Sequence, residues 1–264
     1  MTAEICVLDG PPRHKRPKSE SPSNYLETYE RVVDALRRSS MDQVWVVASS
    51  KRFADLVRAV THGRRAVYRS VLFSYSRPDD ATAVLLESSF GRLLLGPHAT
   101  VPIEELVDIL RDEHPEDFCI AAQWIEDAKT LALWRGDFKM LTVPLAWFER
   151  GSVTKPDPAR LSVEDSGQTI RMGDYETTFD AVLYEQDAVA RKRMRDRMRA
   201  QDRTLGGSLW RLRTMRGVRR DEFGKIDEKT IARIERGEVK KPQRATLEAI
   251  ASRLGVSGAE IETY

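Results

Sequence analysis

The stretch 205–264 constrains the fold more than any other part of the chain, because its apolar residues recur at helical spacing in short segments that glycines close. In the first segment, Leu209, Leu212 and Met215 share one face of a helix, with arginines on the opposite face. Such stripes must be buried against other helices, so the pattern predicts a compact helical bundle. The five predicted helices are 208–218, 219–225, 228–236, 245–254 and 259–263.

The third of these helices has clear start and stop signals. Asp227 is a favourable N-cap, and Ile231 and Ile234 form the apolar face. Gly237 is expected to end the helix, since glycine adopts the left-handed conformation that closes many helices.

Charge is divided unevenly along the chain. Residues 189–264 hold 20 Lys and Arg against 11 Asp and Glu, a net charge of +9, whereas the remainder holds 23 against 30, a net charge of −7. A basic end on an acidic body is the electrostatic signature of a module that binds nucleic acid, because phosphate contacts dominate the affinity of such modules.

Much of the basic excess lies in 186–202, which contains no Gly or Pro and carries six Arg or Lys between 191 and 199. This composition predicts a basic helix that ends before Gly206 and Gly207. The helix is either a solvated linker or an additional source of phosphate contacts, and both interpretations stay open.

The motif in the C-terminal stretch resembles a known family. Residues 212–218 (LRTMRGV), Phe223 and 230–237 (TIARIERG) are similar to the Cro and lambda-repressor type of helix-turn-helix, also called XRE-like. Residues 241–251 resemble the segment that follows this motif, so the likeness covers about 205–264. Two features differ: Arg219 and Arg220 stand where a Ser or Thr and a Gln are usual, and the turn before the third helix is about three residues shorter.

The resemblance implies that the third helix lies in the major groove of duplex DNA, with its N-terminal residues at the base edges. Arg and Lys side chains pair with guanine O6 and N7, and Glu accepts from cytosine N4. The predicted base contacts are Glu228, Lys229, Thr230 and Arg233, of which Thr230 has the alternative of bonding to its own backbone.

The cations that flank this helix are the predicted phosphate contacts. They are Arg220, Lys240, Lys241 and Arg244. Glu235 is different, because the resemblance pairs it internally with Arg213 and so implies a structural ion pair.

The first 119 residues predict an arm and an α/β region. Residues 1–23 contain five prolines or glycines beside a basic run at 13–16, and are expected to be a flexible basic arm that is either a solvated tail or a DNA contact. Within 24–119, helices are predicted at 25–39, 52–61 and 102–111, and strands at 44–48, 66–76, 82–87 and 92–95.

Residues 120–186 predict a small β-rich domain, with strands at 124–134 and 139–143 and near Leu161 and Ile170. About residues 120–184 resemble the bacterial family named domain of unknown function 2442. The residues that carry the likeness are Leu131, Leu133, the turn at 136–137, the run VPLAWF at 143–148, the Gly167 turn that leads to Ile170, the acidic segment 174–176, and Val182 and Leu183. Met172 stands where that family usually has an aromatic residue, shortly after the isoleucine that corresponds to Ile170. The resemblance concerns fold and implies no chemistry, although members of that family occur fused to a C-terminal helix-turn-helix.

The expected fold class is therefore α+β. An N-terminal α/β region and a small β-rich domain precede a basic linker helix and an all-α, five-helix DNA-binding domain. The predicted boundaries are 1–23, 24–119, 120–186, 187–204 and 205–264.

No catalytic arrangement is visible in 24–188. Phosphate-binding loops, Gly-x-Ser-x-Gly elbows and His-Glu-x-x-His motifs are missing from its sequence. Asp79, Asp80 and Glu87 are interpreted as a polar turn before a strand, and 112–117 as a solvated acidic loop. Two distant cysteines and four scattered histidines do not supply paired zinc ligands, so we expect no enzyme activity, metal or cofactor.

Neither a long apolar span nor a secretory signal is present in the sequence, so the protein is expected to be cytoplasmic and associated with the nucleoid. The expected function is a sequence-specific transcriptional regulator, a repressor or autoregulator, that binds double-stranded DNA as a homodimer. The N-terminal region would receive a protein or small-molecule effector. The alternatives are a DNA-targeted nuclease or modifying enzyme, and an antitoxin-like or phage-linked interaction protein with a repressor domain.

Overall fold

The computed structural model describes residues 4–8, 24–38, 43–63, 67–150 and 153–263. The chain is a mixed α/β protein that divides into two compact units, Met1–Gln186 and Asp187–Tyr264. In the part of the chain that the structure describes, no helix combines the length and apolar character needed to cross a membrane.

A parallel sheet forms the first part of the first unit. Its strands are β1 (Glu4–Leu8), β2 (Asn24–Tyr25), β3 (Gln43–Val47), β4 (Val67–Ser74) and β5 (Phe90–Leu95). They are ordered β2-β1-β3-β4-β5, and every neighbouring pair is parallel. The intervening helices are α1 (Tyr29–Arg38), α2 (Ser50–Gly63) and α3 (Asp80–Glu87).

Strand β3 is buried along its whole length, which explains the apolar run at 44–47. The Cα positions of Cys6, Trp45 and Leu72 are in register across three strands, and all three side chains lie in one core with residues of α1 and α2. The ring of Trp45 also meets Phe90 edge-on, with 6.4 Å between the ring centroids.

Two predictions for this region are wrong. The predicted strand at 82–87 is helix α3, because Asp79 accepts the backbone N–H of Thr82 at 2.9 Å and so caps a helix start. Residues 4–8, predicted to belong to a flexible arm, are strand β1, whose apolar run is buried beside β3. The remaining residues of that arm, 1–3 and 9–23, lie outside the described residues.

The rest of the first unit contains two antiparallel sheets. The first has the order β6-β7-β8-β9, and its strands are β6 (Ala99–Thr100), β7 (Cys119–Ile125), β8 (Thr130–Arg135) and β9 (Met140–Pro144). The second has the order β10-β11-β12, and its strands are β10 (Leu161–Glu164), β11 (Thr169–Met172) and β12 (Tyr175–Thr178). Three helices accompany them: α4 (Ile103–Arg111), α5 (Leu145–Phe148) and α6 (Phe179–Gln186). The predicted single strand at 124–134 is wrong, because a turn at 126–129 divides it between β7 and β8.

The second unit is helical throughout its described part. It contains α7 (Ala188–Gln201), α8 (Leu205–Met215), a 3₁₀ turn (Arg220–Glu222), α9 (Glu228–Glu235), α10 (Arg244–Leu254) and α11 (Gly258–Thr263). One hydrophobic core, drawn from 205–261, joins the elements from α8 to α11, and its fully buried members include Ile231, Ile250 and Ile261.

The predicted second helix of this unit, 219–225, is wrong, because the structure has a single 3₁₀ turn there. Gly224 has a φ of +65°, which an α-helix does not accept. The turn itself is closed by the carboxylate of Glu222, which accepts the backbone N–H of Arg219 at 2.7 Å. A single turn of 3₁₀ helix is therefore what these few residues form.

Gly206 and Gly207 lie inside α8, although the sequence suggested that the helix starts after them. The hydroxyl of Thr204 caps α8 by accepting the N–H of Gly207 at 3.3 Å. A Cβ atom at Gly206 would lie 2.5 Å from the carbonyl oxygen of Ile234. Gly206 therefore serves the close approach of α8 to the end of α9, and Gly207 serves its close approach to Asp202, rather than a break in the helix.

Candidate nucleic-acid interface

Helix α9 has defined ends and a buried inner face. Asp227 accepts the backbone N–H of Lys229 at 2.7 Å, and Ile231 and Ile234 are buried in the core. At the other end, the N–H of Gly237 donates to Ile234 O at 2.9 Å and that of Glu238 donates to Arg233 O at 3.0 Å. This is the Schellman arrangement, which the φ of +73° at Gly237 permits. The backbone of α9 and of the two residues after it is therefore fixed.

The face of α9 opposite Ile231 carries three cations. At 100° per residue, Lys229, Arg233 and Arg236 fall within about 60° of one another around the helix axis. Lys229 is exposed, and the side chains of Arg233 and Arg236 are 58% and 49% exposed. We call these three residues the outward stripe.

The four predicted base contacts thus differ in position. Lys229 and Arg233 are at the centre of the outward face, whereas Glu228 and Thr230 lie to either side of it. Glu228 is exposed at the first turn, and Thr230 is partly buried. Their contact with bases stays a prediction, as does that of Lys229 and Arg233.

The predicted phosphate contact Arg220 already has a strong partner. Its Nε and Nη2 atoms donate to Oε2 of Glu235 at 2.8 and 2.6 Å. The side chain is 38% exposed, so part of the guanidinium faces solvent. An interaction with phosphate would have to use that part.

Glu235 is the internal anchor that the resemblance implied. Its side chain is 2% exposed, and its Oε1 accepts Nε of Arg213 at 2.5 Å. Arg213 also donates through Nη1 to Val218 O at 2.9 Å. The predicted Arg213–Glu235 ion pair is confirmed, and Arg220 is a second partner that the sequence did not indicate. One buried carboxylate thereby joins α8, the 3₁₀ turn and α9.

The other predicted phosphate contacts lie after α9. Lys240 and Lys241 are exposed in the loop that leads to α10, and neither forms an ion pair with any residue that the structure describes. Arg244 is 92% exposed at the start of α10 and donates through Nε to Glu248 at 2.8 Å. Since Glu248 is also 61% exposed, this almost fully solvated pair is weak, and Arg244 remains accessible to a competing anion.

Sequence reasoning missed two residues of this surface, Arg236 and Glu238. Nε of Arg236 lies 2.6 Å from Oε1 of Glu238, and Nε of Arg233 lies 3.4 Å from Oε2 of the same carboxylate. The hydrogen bond from Arg236 lowers the pKa of the Glu238 carboxyl. Helical spacing from Lys229 would have identified Arg236, but the position of Glu238 depends on the loop geometry.

Helix α7 is attached to α8 by one arginine. Nη1 of Arg211 donates to the carbonyl of Asp202, and also to those of Arg199 and Ala200 at 3.4 and 3.3 Å. The carbonyls of Arg199 and Ala200 belong to the last turn of α7 and that of Asp202 follows it, at the end of the helix where carbonyls lack their regular intrahelical donors. The guanidinium of Arg199 also lies over the ring of Trp210, 5.8 Å from its centroid. The end of α7 is therefore held against α8.

The acidic residues Asp79, Asp80 and Glu87 of the first unit do not form a cluster in the structure. Asp79 caps α3, and the hydrogen bond from the Thr82 backbone lowers the pKa of its carboxyl. Asp80 lies 3.9 Å from Arg77, whereas Glu87 is at the other end of α3, about 10 Å along the axis. Among the described residues, no three His, Cys, Asp or Glu side chains are grouped so that they could hold a metal ion.

The buried thiol of Cys119 is expected to be a poor nucleophile. Burial raises the pKa of this group to about 12, so the nucleophilic thiolate is not populated at neutral pH.

Comparison of the chain with models of protein families, with curated proteins and with solved structures gives no match.

Proposed function

We propose that the chain is a sequence-specific DNA-binding transcriptional regulator, a repressor or autoregulator, that inserts α9 into the major groove. The observation that carries the proposal is the outward stripe, which presents three cations from a helix whose opposite face is buried. An α-helix fits the major groove of B-DNA, where Arg and Lys recognise guanine by its O6 and N7 atoms.

The cations around α9 support the same orientation. Lys240 and Lys241 lie in the loop after the stripe and have no competing ion pair among the described residues, so both are available to phosphate. Glu235, Arg213 and Arg220 hold the backbone of the proposed DNA-binding domain in place, so the stripe is preorganised. In this proposal α8, the 3₁₀ turn and α9–α11 form the five-helix domain, and α7 precedes it as the basic linker helix.

One such domain recognises only a few base pairs, so we propose that the regulator acts in the cytoplasm as a homodimer on a pseudo-palindromic site. The first unit would then provide the dimer contact or receive an effector. Its acidic character disfavours direct contact with DNA, because its net charge repels phosphate.

The proposal is tested by selecting duplexes from a random pool with the full chain, followed by footprinting of the enriched sequences. We expect enrichment of a sequence with two related halves about one helical turn apart. Binding should weaken with salt with a slope of about −3.6 per protomer, if Arg220, Lys240, Lys241 and Arg244 each neutralise one phosphate. Failure to enrich any sequence at moderate salt would contradict sequence-specific regulation, and plasmid cleavage in the presence of magnesium would favour a nuclease.

A further inference from the structure

Glu238 is the one carboxylate that forms ion pairs with side chains of the outward stripe in the described part of the chain. It bonds to Arg236 at 2.6 Å and lies 3.4 Å from Arg233, and its side chain is 46% exposed. Both partners contribute Nε to the contact. Their terminal nitrogens are therefore left for other interactions.

The stability of α9 does not account for a carboxylate at this place. Glu238 follows the C-terminal end of the helix, where the macrodipole disfavours negative charge. Its backbone N–H donates to Arg233 O at the end of the helix, a hydrogen bond that any residue other than proline would make. The side chain thus adds only its charge and its contacts with the two arginines.

We propose that Glu238 is a specificity-determining residue, which holds Arg233 and Arg236 away from the DNA backbone and so suppresses binding to duplexes of arbitrary sequence. This inference rests on the proposed function. Non-specific complexes are held almost entirely by phosphate contacts, so each arginine retained by Glu238 removes one such contact.

Glu238 weakens a specific complex with DNA less than it weakens a non-specific one. Arg233 meets Glu238 through Nε, so its two terminal nitrogens can still donate to O6 and N7 of a guanine without breaking the ion pair. Reaching a phosphate to the side of the helix would require the guanidinium to leave Glu238. The carboxylate therefore penalises the non-specific complex more than the specific one.

The test is the affinity of the full chain for a short duplex of random sequence and for the enriched duplex, measured across a salt series. Glu238→Gln keeps the shape of the side chain and removes its charge. We expect its affinity for random duplex to rise about fivefold to tenfold near 0.1 M salt, with the salt slope steeper by up to about 1.8 if two arginines gain phosphates. Affinity for the enriched duplex should rise less, so the ratio of the two affinities falls.

The matched control is Glu87→Gln, which makes the same change of charge in the first unit at an exposed residue. It should leave both affinities and the salt slope unchanged. Arg236→Gln separates the proposed mechanism from a general charge effect, because it should cost more affinity in the Glu238→Gln protein than in the wild type. Thermal unfolding of each variant checks that the fold is retained.

The outcomes separate the two proposals. If the wild type binds DNA and Glu238→Gln changes neither the random-duplex affinity nor the salt slope, the role of Glu238 is refuted and DNA binding stands. A selective loss of affinity for the enriched duplex would also refute it, because Glu238 would then position Arg233. If the wild type and every variant fail to bind any duplex at low salt, the proposed function fails and this inference fails with it.

Discussion

The cations around α9 are distinguished by their partners. Lys241 has no ion pair among the described residues, Arg233 shares a carboxylate with Arg236, and Arg220 is bonded to the buried Glu235. An unpaired, exposed cation can bind phosphate without breaking an ion pair, whereas a paired cation must first release its carboxylate. Residues of the same charge are therefore expected to contribute differently to DNA binding.

A pair of single substitutions tests this division. Arg233→Ala should cost on the order of 1–3 kcal/mol in binding the enriched duplex and relax base preference at one position of the site. Lys241→Ala should weaken binding to all sequences similarly and reduce the salt slope by about 0.9, since it removes one phosphate contact. Equilibrium titration of both variants against enriched and random duplexes provides the measurement. Indistinguishable profiles would show that the assignment of base and phosphate contacts is wrong.

Gly206 supports a second prediction at this scale. In an ordinary helix, Gly→Ala stabilises by about 1 kcal/mol. At Gly206 the added Cβ would meet the Ile234 carbonyl oxygen at 2.5 Å, and backbone cannot move aside cheaply. We expect Gly206→Ala to destabilise the second unit by about 1–2 kcal/mol net, measured by denaturant unfolding.

Gly258→Ala is the matched control for that substitution. Its Cβ would find its nearest neighbour, a side-chain carbon of Leu247, at 3.5 Å, which is an ordinary contact. This variant should be neutral or slightly stabilising. Equal effects of the two substitutions would mean that α8 and α9 are not as closely packed as described.

At the scale of elements, sequence signals succeeded where they were local. Asp227 and Gly237 predicted both ends of α9, and the structure has the expected N-cap bond and left-handed glycine. Such caps depend on a few neighbouring residues, so one sequence is sufficient to predict them. The inner and outer faces of α9 followed from the same periodicity.

Elements that depend on distant contacts were predicted less well. Gly206 and Gly207 suggested a break in the helix, but Gly206 is explained by the approach of α9, which is remote in sequence, and Gly207 by the approach of Asp202. The residues 82–87 suggested a strand by composition, but Asp79 initiates a helix there. Likewise, the ion pairs of Glu238 follow from how the chain turns after Gly237, which side-chain spacing alone does not reveal.

The attachment of α7 to α8 gives a prediction for an element. Arg211→Ala removes the donor to three carbonyls in and just after the last turn of α7. We expect faster amide hydrogen exchange in 197–202, with unchanged protection in α9, because the Glu235 network does not involve Arg211. Lys192→Ala, at an exposed position of α7, is the control and should leave exchange in 197–202 unaltered. Loss of protection throughout the second unit would instead assign Arg211 to the core.

At the scale of the whole molecule, charge and structure divide the chain at nearly the same place. The second unit begins at Asp187, and residues from 189 onward carry the net charge of +9. Among the described residues, the members of its hydrophobic core all lie within 205–261. All of the proposed DNA contacts also lie in this unit.

This division predicts how the fragment 187–264 behaves in isolation. Since its core is complete, we expect it to unfold in a single cooperative thermal transition. Above about 0.15 M salt, where the charge of the first unit is screened, the fragment's salt slope for random duplex, per protomer bound, should equal that of the full chain, because both carry the same proposed phosphate contacts. Its affinity should exceed that of the full chain at low salt, where the repulsion between phosphates and the acidic first unit acts over a long range. Screening should remove the difference near 0.15 M, where the Debye length is about 8 Å. A steeper slope for the full chain would assign phosphate contacts to the basic run at 13–16, and an unfolded fragment would show that the second unit depends on the first.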